Sequence, residues 1–212
     1  MSSPKTALVY TGLLRSWQQC KGSHYEYIWM GNNPDLFFYT DRNPSLWLEE
    51  REKNFFENVN WQFTQDQHVN WYPDPFKEHR YATRKAPENT VYQTYRQWRA
   101  NYIGFAMVPQ GYDIYCRVRP DIVLNGNLKF ADYDCSKKVI YIPQGMDYGG
   151  INDQFAFGNY EVMKIYYSVF ENVHELWHEG AIFHSETMQL KNLQKHGVEI
   201  VRYGAPQINI VR

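Results

Sequence analysis

The stretch Tyr112-Asp113-Ile114-Tyr115-Cys116-Arg117-Val118-Arg119-Pro120-Asp121-Ile122-Val123-Leu124 constrains the fold more than any other part of the chain. Ile114, Cys116 and Val118 alternate with Tyr115, Arg117 and Arg119, the period of two of a β-strand whose last residues turn polar. Pro120 has no amide hydrogen to give a ladder and drives the residue before it toward extended geometry, so the strand ends there. Asp121 then leaves the sheet at its carboxyl edge, where open α/β sheets hold ligands. Two guanidinium groups and one carboxylate at a strand end suit an anion held partly by side chains and partly through a metal ion. The expectation is a site for a nucleoside diphosphate.

The rest of the chain supplies the strands and helices to frame such an edge. Residues 7–10 read as a first strand running into a tight turn at Thr11-Gly12, with a helix opening over 13–19. A second strand covers 35–40 and closes at 41–44; 45–58 is predicted helical and 60–63 a short strand. Residues 64–88 carry three prolines and little periodicity, which predicts a long loop with short helical pieces. A helix over 89–108 precedes the strand 112–119, and 139–142 is a further strand closed by Pro143. A glycine-containing loop, 145–150, leads into Asp153-Gln154-Phe155-Ala156-Phe157-Gly158. Helices at about 160–178 and 184–196 and a last strand at 198–202 complete the pattern. Strands alternating with helices predict an α/β fold, with a central mixed, mostly parallel sheet of about six strands flanked by helices. A chain of 212 residues fits one domain, 1–212. Its apolar, unpunctuated ending, 208–212, fits the N-terminal part of a longer polypeptide.

Composition removes several function classes. With 22 basic and 23 acidic residues and a net charge of −1, no whole-molecule field draws the chain to nucleic acid or to a membrane surface. Cations interleave with aromatics at 80–85 and 92–99, but only locally, which suits part of a donor or acceptor cleft or a plain helix surface; no nucleic-acid partner is expected. No apolar run approaches the length of a bilayer span, and the N-terminus lacks a signal-peptide core. Cys20, Cys116 and Cys135 are few and odd in number, which suits a reducing, cytoplasmic setting. Aromatics reach 17%, with 18 Tyr and 7 Trp. Such rings fill cores and also stack on sugars and bases.

His174-Glu175-Leu176-Trp177-His178 matches the zinc-peptidase pattern H-E-x-x-H, two histidines on one helical face with a glutamate base. His184 falls at the spacing of a third ligand, yet Ala181 stands where the longer pattern wants glycine, and no Met-turn follows. A solvated helix face carrying Glu171, Glu175 and Glu179 explains the same residues. A zinc metallopeptidase is therefore a second reading, and a non-catalytic nucleotide- or carbohydrate-binding module a third.

Three blocks, Thr11-Gly12-Leu13-Leu14-Arg15-Ser16, Arg117-Val118-Arg119-Pro120-Asp121 and Asn152-Asp153-Gln154-Phe155-Ala156-Phe157-Gly158, are similar to blocks of small GT-A-type glycosyltransferases. The likeness runs over nearly the whole chain and is closest to the N-terminal domain of a chlorella virus glycosyltransferase of capsid-glycan synthesis. The resemblance implies a GT-A-like fold, a UDP-sugar donor and a glycan acceptor. It implies transfer of a hexose or deoxyhexose such as rhamnose or glucose in a viral setting within the host cytoplasm. It also implies a divalent cation, Mn²⁺ or Mg²⁺, gripped by an Asp-x-Asp motif at a strand end. Here the motif reads Arg119-Pro120-Asp121, a cation in place of the first carboxylate. That leaves Asp121 as the motif's metal ligand, with His184 the implied second ligand from a later segment.

The remaining roles follow in the same way. Arg117 and Arg119 are expected to serve phosphate, one by a bidentate contact and the other by pairing with a buried acid. Thr11, Gly12 and Arg15 would approach the donor from the first turn, and Thr40 and Asp41 the uracil or ribose from the second. Asp153 is the expected catalytic base of an inverting transfer, taking the acceptor hydroxyl's proton; in a retaining transfer it would instead hold a donor-sugar hydroxyl, and Glu186 is a further acid nearby. Each has a plainer alternative: Gly12 in a strand-to-helix turn, Asp41 and Asp121 in ordinary turns, and Asp153 as a turn or helix-cap residue.

Overall fold

Every strand of the main sheet runs parallel to its neighbours except one. The computed structural model describes residues 3–40, 61–65 and 88–211. The expectations for 41–60 and 66–87, Asp41 among them, fall outside these residues. The chain order is β1 (Thr6–Gly12), α1 (Trp17–His24), a π-helical stretch Tyr25–Trp29, α2 (Met30–Asn32), β2 (Asp35–Thr40), β3 (Trp61–Gln65) and α3 (Glu88–Ala106). Then come β4 (Ile114–Val118), β5 (Ile122–Asn125), β6 (Val139–Pro143), β7 (Phe155–Gly158), α4 (Tyr160–Tyr167), α5 (Val169–His178), α6 (Ser185–Lys195), β8 (Glu199–Tyr203) and β9 (Gln207–Ile210). The seven-stranded sheet has the order β3-β2-β1-β4-β7-β6-β8, and β7 is antiparallel to both β4 and β6. A two-stranded antiparallel ribbon joins β5 to β9.

The α/β architecture expected from the sequence is present, with one strand beyond six. The extra strand is β7, whose four residues, Phe-Ala-Phe-Gly, are all buried and show no polar alternation. The predicted helix 160–178 is two helices that meet at Ser168. The apolar C-terminal stretch forms β9.

Central strands covered on both faces read as continuous apolar runs, and β1 does so, with Ala7, Leu8, Val9 and Tyr10 all fully buried. Leu8, Tyr10, Leu36, Phe38, Cys116 and Val118 point to the side of Trp17, Ile28 and Trp29. Ala7, Val9, Phe37 and Tyr115 face Phe105 of α3 and Val162, Met163 and Tyr166 of α4. The sheet is thus the middle of an α/β/α sandwich. A separate cluster of Tyr95, Trp98, Val173, Leu176 and Met188 locks α3 to α5 and α6.

A polar chain inside the first layer fixes the exit of β4. Trp29 Nε1 donates to Tyr10 Oη at 2.9 Å, and Tyr10 Oη lies 3.2 Å from His24 Nδ1. His24 Nε2 lies 2.8 Å from the Ile122 carbonyl oxygen, which can only accept. The geometry therefore assigns the imidazole hydrogen to Nε2 and leaves Nδ1 to accept from the tyrosine. Burial pushes His24 down to about 4, so the ring is neutral. This anchor holds the residue next to Asp121.

Candidate functional site

The carboxyl ends of β1, β2 and β4 open onto a cavity of about 400 Å³ whose far wall is α3. Gly12 ends β1 at φ 130°, a conformation that side chains with a Cβ rarely adopt, and this directs the chain away from the sheet. Thr11 and Thr40, both buried, lie at the strand ends lining the cavity. From α3 come Gln93, Gln97 and Asn101, one turn apart on a single face, with Arg96 and Ala100 beside them. Among the described residues four arginines line the space, Arg15, Arg96, Arg117 and Arg119, against one carboxylate, Asp121. In a chain of net charge −1 the described lining thus carries a local excess of positive charge.

Arg119 and Asp121 form a fork. Arg119 Nε donates to Asp121 Oδ1 at 2.9 Å and Nη2 to Oδ2 at 2.8 Å. Arg15 Nη2 adds a third bond to Oδ2 at 3.2 Å. Burial would raise the Asp121 pKa, but the Arg119 hydrogen bonds and the two guanidinium charges outweigh it and hold the carboxyl below its usual value. Asp121 therefore stays ionised and keeps both arginines at the cavity.

Arg117, two residues earlier on the same face, is used differently. It is 1% exposed. Its Nε donates to the Asp153 carbonyl at 2.9 Å and its Nη1 to Thr11 Oγ1 at 2.7 Å. Thr11 in turn donates to Asn101 Oδ1. Arg117 is a buried brace that joins β1, β4 and the entry to β7.

Asp153 reaches the site because β7 is antiparallel, so the residues entering it lie beside those leaving β4. Arg119 N donates to the Gln154 carbonyl at 3.0 Å. Asp153 Oδ2 accepts from Gln97 Nε2 at 2.6 Å and from Ser185 Oγ at 2.5 Å. Gln97 lines the cavity, so Asp153 connects to it through one side chain. The loop before it is clamped to the start of α6, where Ile151 N donates to the Glu186 carbonyl at 3.1 Å. A Cβ on Gly150 would fall 2.0 Å from that carbonyl oxygen, so the approach requires glycine. Burial, then the nearby Asp153 charge, pushes Glu186 up to about 7.

His184 sits at the N-cap of α6 with its Nδ1 2.8 Å from Glu186 Oε2, an ion-pair distance off hydrogen-bonding geometry. It is not among the residues lining the cavity. On α5, His174 and His178 are exposed, and Glu175 pairs with Lys195 at 2.6 Å. Among the described residues no three His, Cys, Asp or Glu side chains gather as metal ligands, at the H-E-x-x-H helix or elsewhere. Among the described residues the donor set at Asp121 is a poor fit for a cation held by the protein, because three of the carboxylate's four lone-pair sites accept from guanidinium groups and the last, on Oδ1, lies beside the Arg119 charge.

Sequence reasoning passed over Ser185 and Asn101, and took in Arg96 and Gln97 only as part of the patch at 92–99. The stripe at 93, 97 and 101 is visible at helical spacing, but a polar stripe beside the apolar Tyr95 and Trp98 also describes an ordinary solvated face.

No protein-family model and no curated protein matches the chain. The fold nevertheless has solved counterparts. One solved relative in structure is the apo form of the glycosyltransferase GlyE from Streptococcus pneumoniae TIGR4, matched with a TM-score of 0.55 and 11% sequence identity over 94% of this chain. The chain spans 45% of the length of that protein. At such identity the likeness is one of fold. Among the described residues no helix is long and apolar enough to cross a membrane, and all three cysteines are buried and free.

Proposed function

We propose that the chain is a glycosyltransferase that seats a UDP-linked sugar in the arginine-lined cavity and passes a hexose or deoxyhexose, rhamnose or glucose, to a glycan acceptor. The observation that carries this reading is that, among the described residues, four arginines and one carboxylate line the carboxyl edge of parallel strands. That is the charge a diphosphate needs, at the edge where such sheets bind nucleotides. Thr40 and Tyr39, at the end of β2, line the part of the cavity that suits the nucleoside. The similarity of the sequence blocks to a chlorella virus domain supports a role in capsid-glycan synthesis.

In the reaction, an acceptor hydroxyl oxygen bonds to the anomeric carbon while the bond from that carbon to the β-phosphate oxygen breaks. The electron pair goes to the diphosphate, whose added charge the guanidinium groups offset. The acceptor proton goes to the Asp153 carboxylate, which Gln97 and Ser185 hold in place. Attack opposite the leaving group inverts the anomeric centre.

The test is release of UDP from UDP-glucose and UDP-rhamnose with and without a glycan acceptor. Asp153→Asn is expected to lose transfer by a factor of about a hundred or more while keeping UDP affinity. Transfer at the wild-type rate would remove Asp153 from the role, and binding of UDP without any donor turnover would leave a binding module.

A further inference from the structure

Resting on the donor-site reading above, we infer that Arg15 and Arg119, keyed in place by Asp121, carry the charge of the bound diphosphate, so that donor binding needs no divalent cation. A hard dication takes oxygen ligands, and at a nucleotide site it uses one or two carboxylates together with the phosphates. Asp121 is the only carboxylate lining this cavity among the described residues. Its Oδ1 accepts from Arg119 Nε, and its Oδ2 accepts from both Arg119 Nη2 and Arg15 Nη2. A dication on Oδ2 would have to displace a guanidinium group, and one on the remaining lone pair of Oδ1 would stand beside the Arg119 charge.

The other acidic groups of the site have partners as well. Asp153 Oδ2 holds Gln97 and Ser185, Glu186 faces His184, and Asp147 Oδ1 holds Arg202 at 2.7 Å.

The arginines, by contrast, have donors to spare. A guanidinium carries five N–H groups in a planar fork. Two from Arg119 and one from Arg15 go to Asp121, and both side chains line the cavity. Arg119 is fixed by its two-point contact and is 22% exposed, whereas Arg15, with one longer bond, is 52% exposed. The pair combines a fixed phosphate contact with one free to swing onto the ligand. Asp121 is then a positioning residue: it spaces two like charges that would otherwise repel and holds them ready before the ligand arrives.

The experiment is the thermal shift and calorimetric titration of the whole chain with UDP, once in EDTA and once with Mn²⁺. The expected result is the same affinity in both. Arg15→Gln should weaken UDP about tenfold in both buffers. The double change Arg119→Gln with Asp121→Asn, which removes the fork without leaving a lone buried charge, should weaken it more and remain indifferent to Mn²⁺. UDP binding that appears only with Mn²⁺ would overturn this inference and leave the donor site standing. Absence of binding in both buffers would overturn the donor site itself, and an unaltered affinity in Arg15→Gln would overturn the role given to that residue.

Discussion

The guanidinium of Arg117 and the main-chain carbonyl of Asp153 are joined at 2.9 Å, while the same side chain reaches Thr11 at 2.7 Å. One buried cation thereby sets where the carboxylate stands relative to the cavity floor. Removing it strands a carbonyl and a hydroxyl inside the protein. Arg117→Met is expected to cost about 3–5 kcal/mol in urea unfolding. Arg117→Lys, which keeps charge but not the planar fork, should recover only part of that loss.

Gly150 is expected to tolerate no side chain. An alanine Cβ there would meet the Glu186 carbonyl carbon at 2.1 Å, and both contacts are with backbone. The loop or the start of α6 must move, breaking the bond from Ile151 N. Gly150→Ala should cost about 2–4 kcal/mol by denaturant unfolding, and should also lower turnover because Ser185 moves away from Asp153.

His24 makes stability sensitive to acid. Its folded pKa of about 4 lies below the ordinary value of 6.5. The unfolded chain therefore binds the proton first, and stability falls as pH drops from about 6.5 toward 4. The full loss is about 3 kcal/mol. Asp121, held below its usual value, adds a loss at still lower pH as its carboxyl protonates in the fold. Urea midpoints measured across this range should fall in the wild type, and His24→Gln should flatten the upper part of the curve.

Glu186 has the opposite sign. Its folded pKa of about 7 lies above the ordinary 4.5, so the folded state binds the extra proton between those values and stability falls as pH rises through that window. Glu186→Gln is expected to stabilise the protein by about 1–2 kcal/mol above neutral pH. It should also remove an inflection near pH 7 from the rate profile of UDP release, since ionised Glu186 acts on Asp153.

The sequence shows β1, β2, β4, β6 and β8 well, because each is a short apolar run bounded by glycine, proline or polar turn residues. It also places Arg117 and Arg119 on one face. What it does not show is depth. Arg117 is still within the paired part of β4, on the face covered by Tyr166, whereas Arg119 lies just beyond the last paired residue, at the open edge. Two chemically identical side chains two positions apart thus become a buried brace and one arm of a fork at the cavity edge. The partners of Asp153 are hidden for another reason: Gln97 and Ser185 lie 56 and 32 residues away in the chain, and no local spacing links them. The strand β7 escapes notice because a four-residue buried segment lacks a polar face to mark its period.

That reversed strand also makes the site intolerant of slippage. Val118 is opposite Phe155 and Arg117 opposite Ala156. Moving the pairing by one residue would turn every β7 side chain to the other face of the sheet and offset the Asp153 carbonyl from the Arg117 fork by about 3.4 Å. Single-residue insertions or deletions between 152 and 158 should therefore be far more damaging than substitutions there, since they alter the phase of the strand as well as its composition.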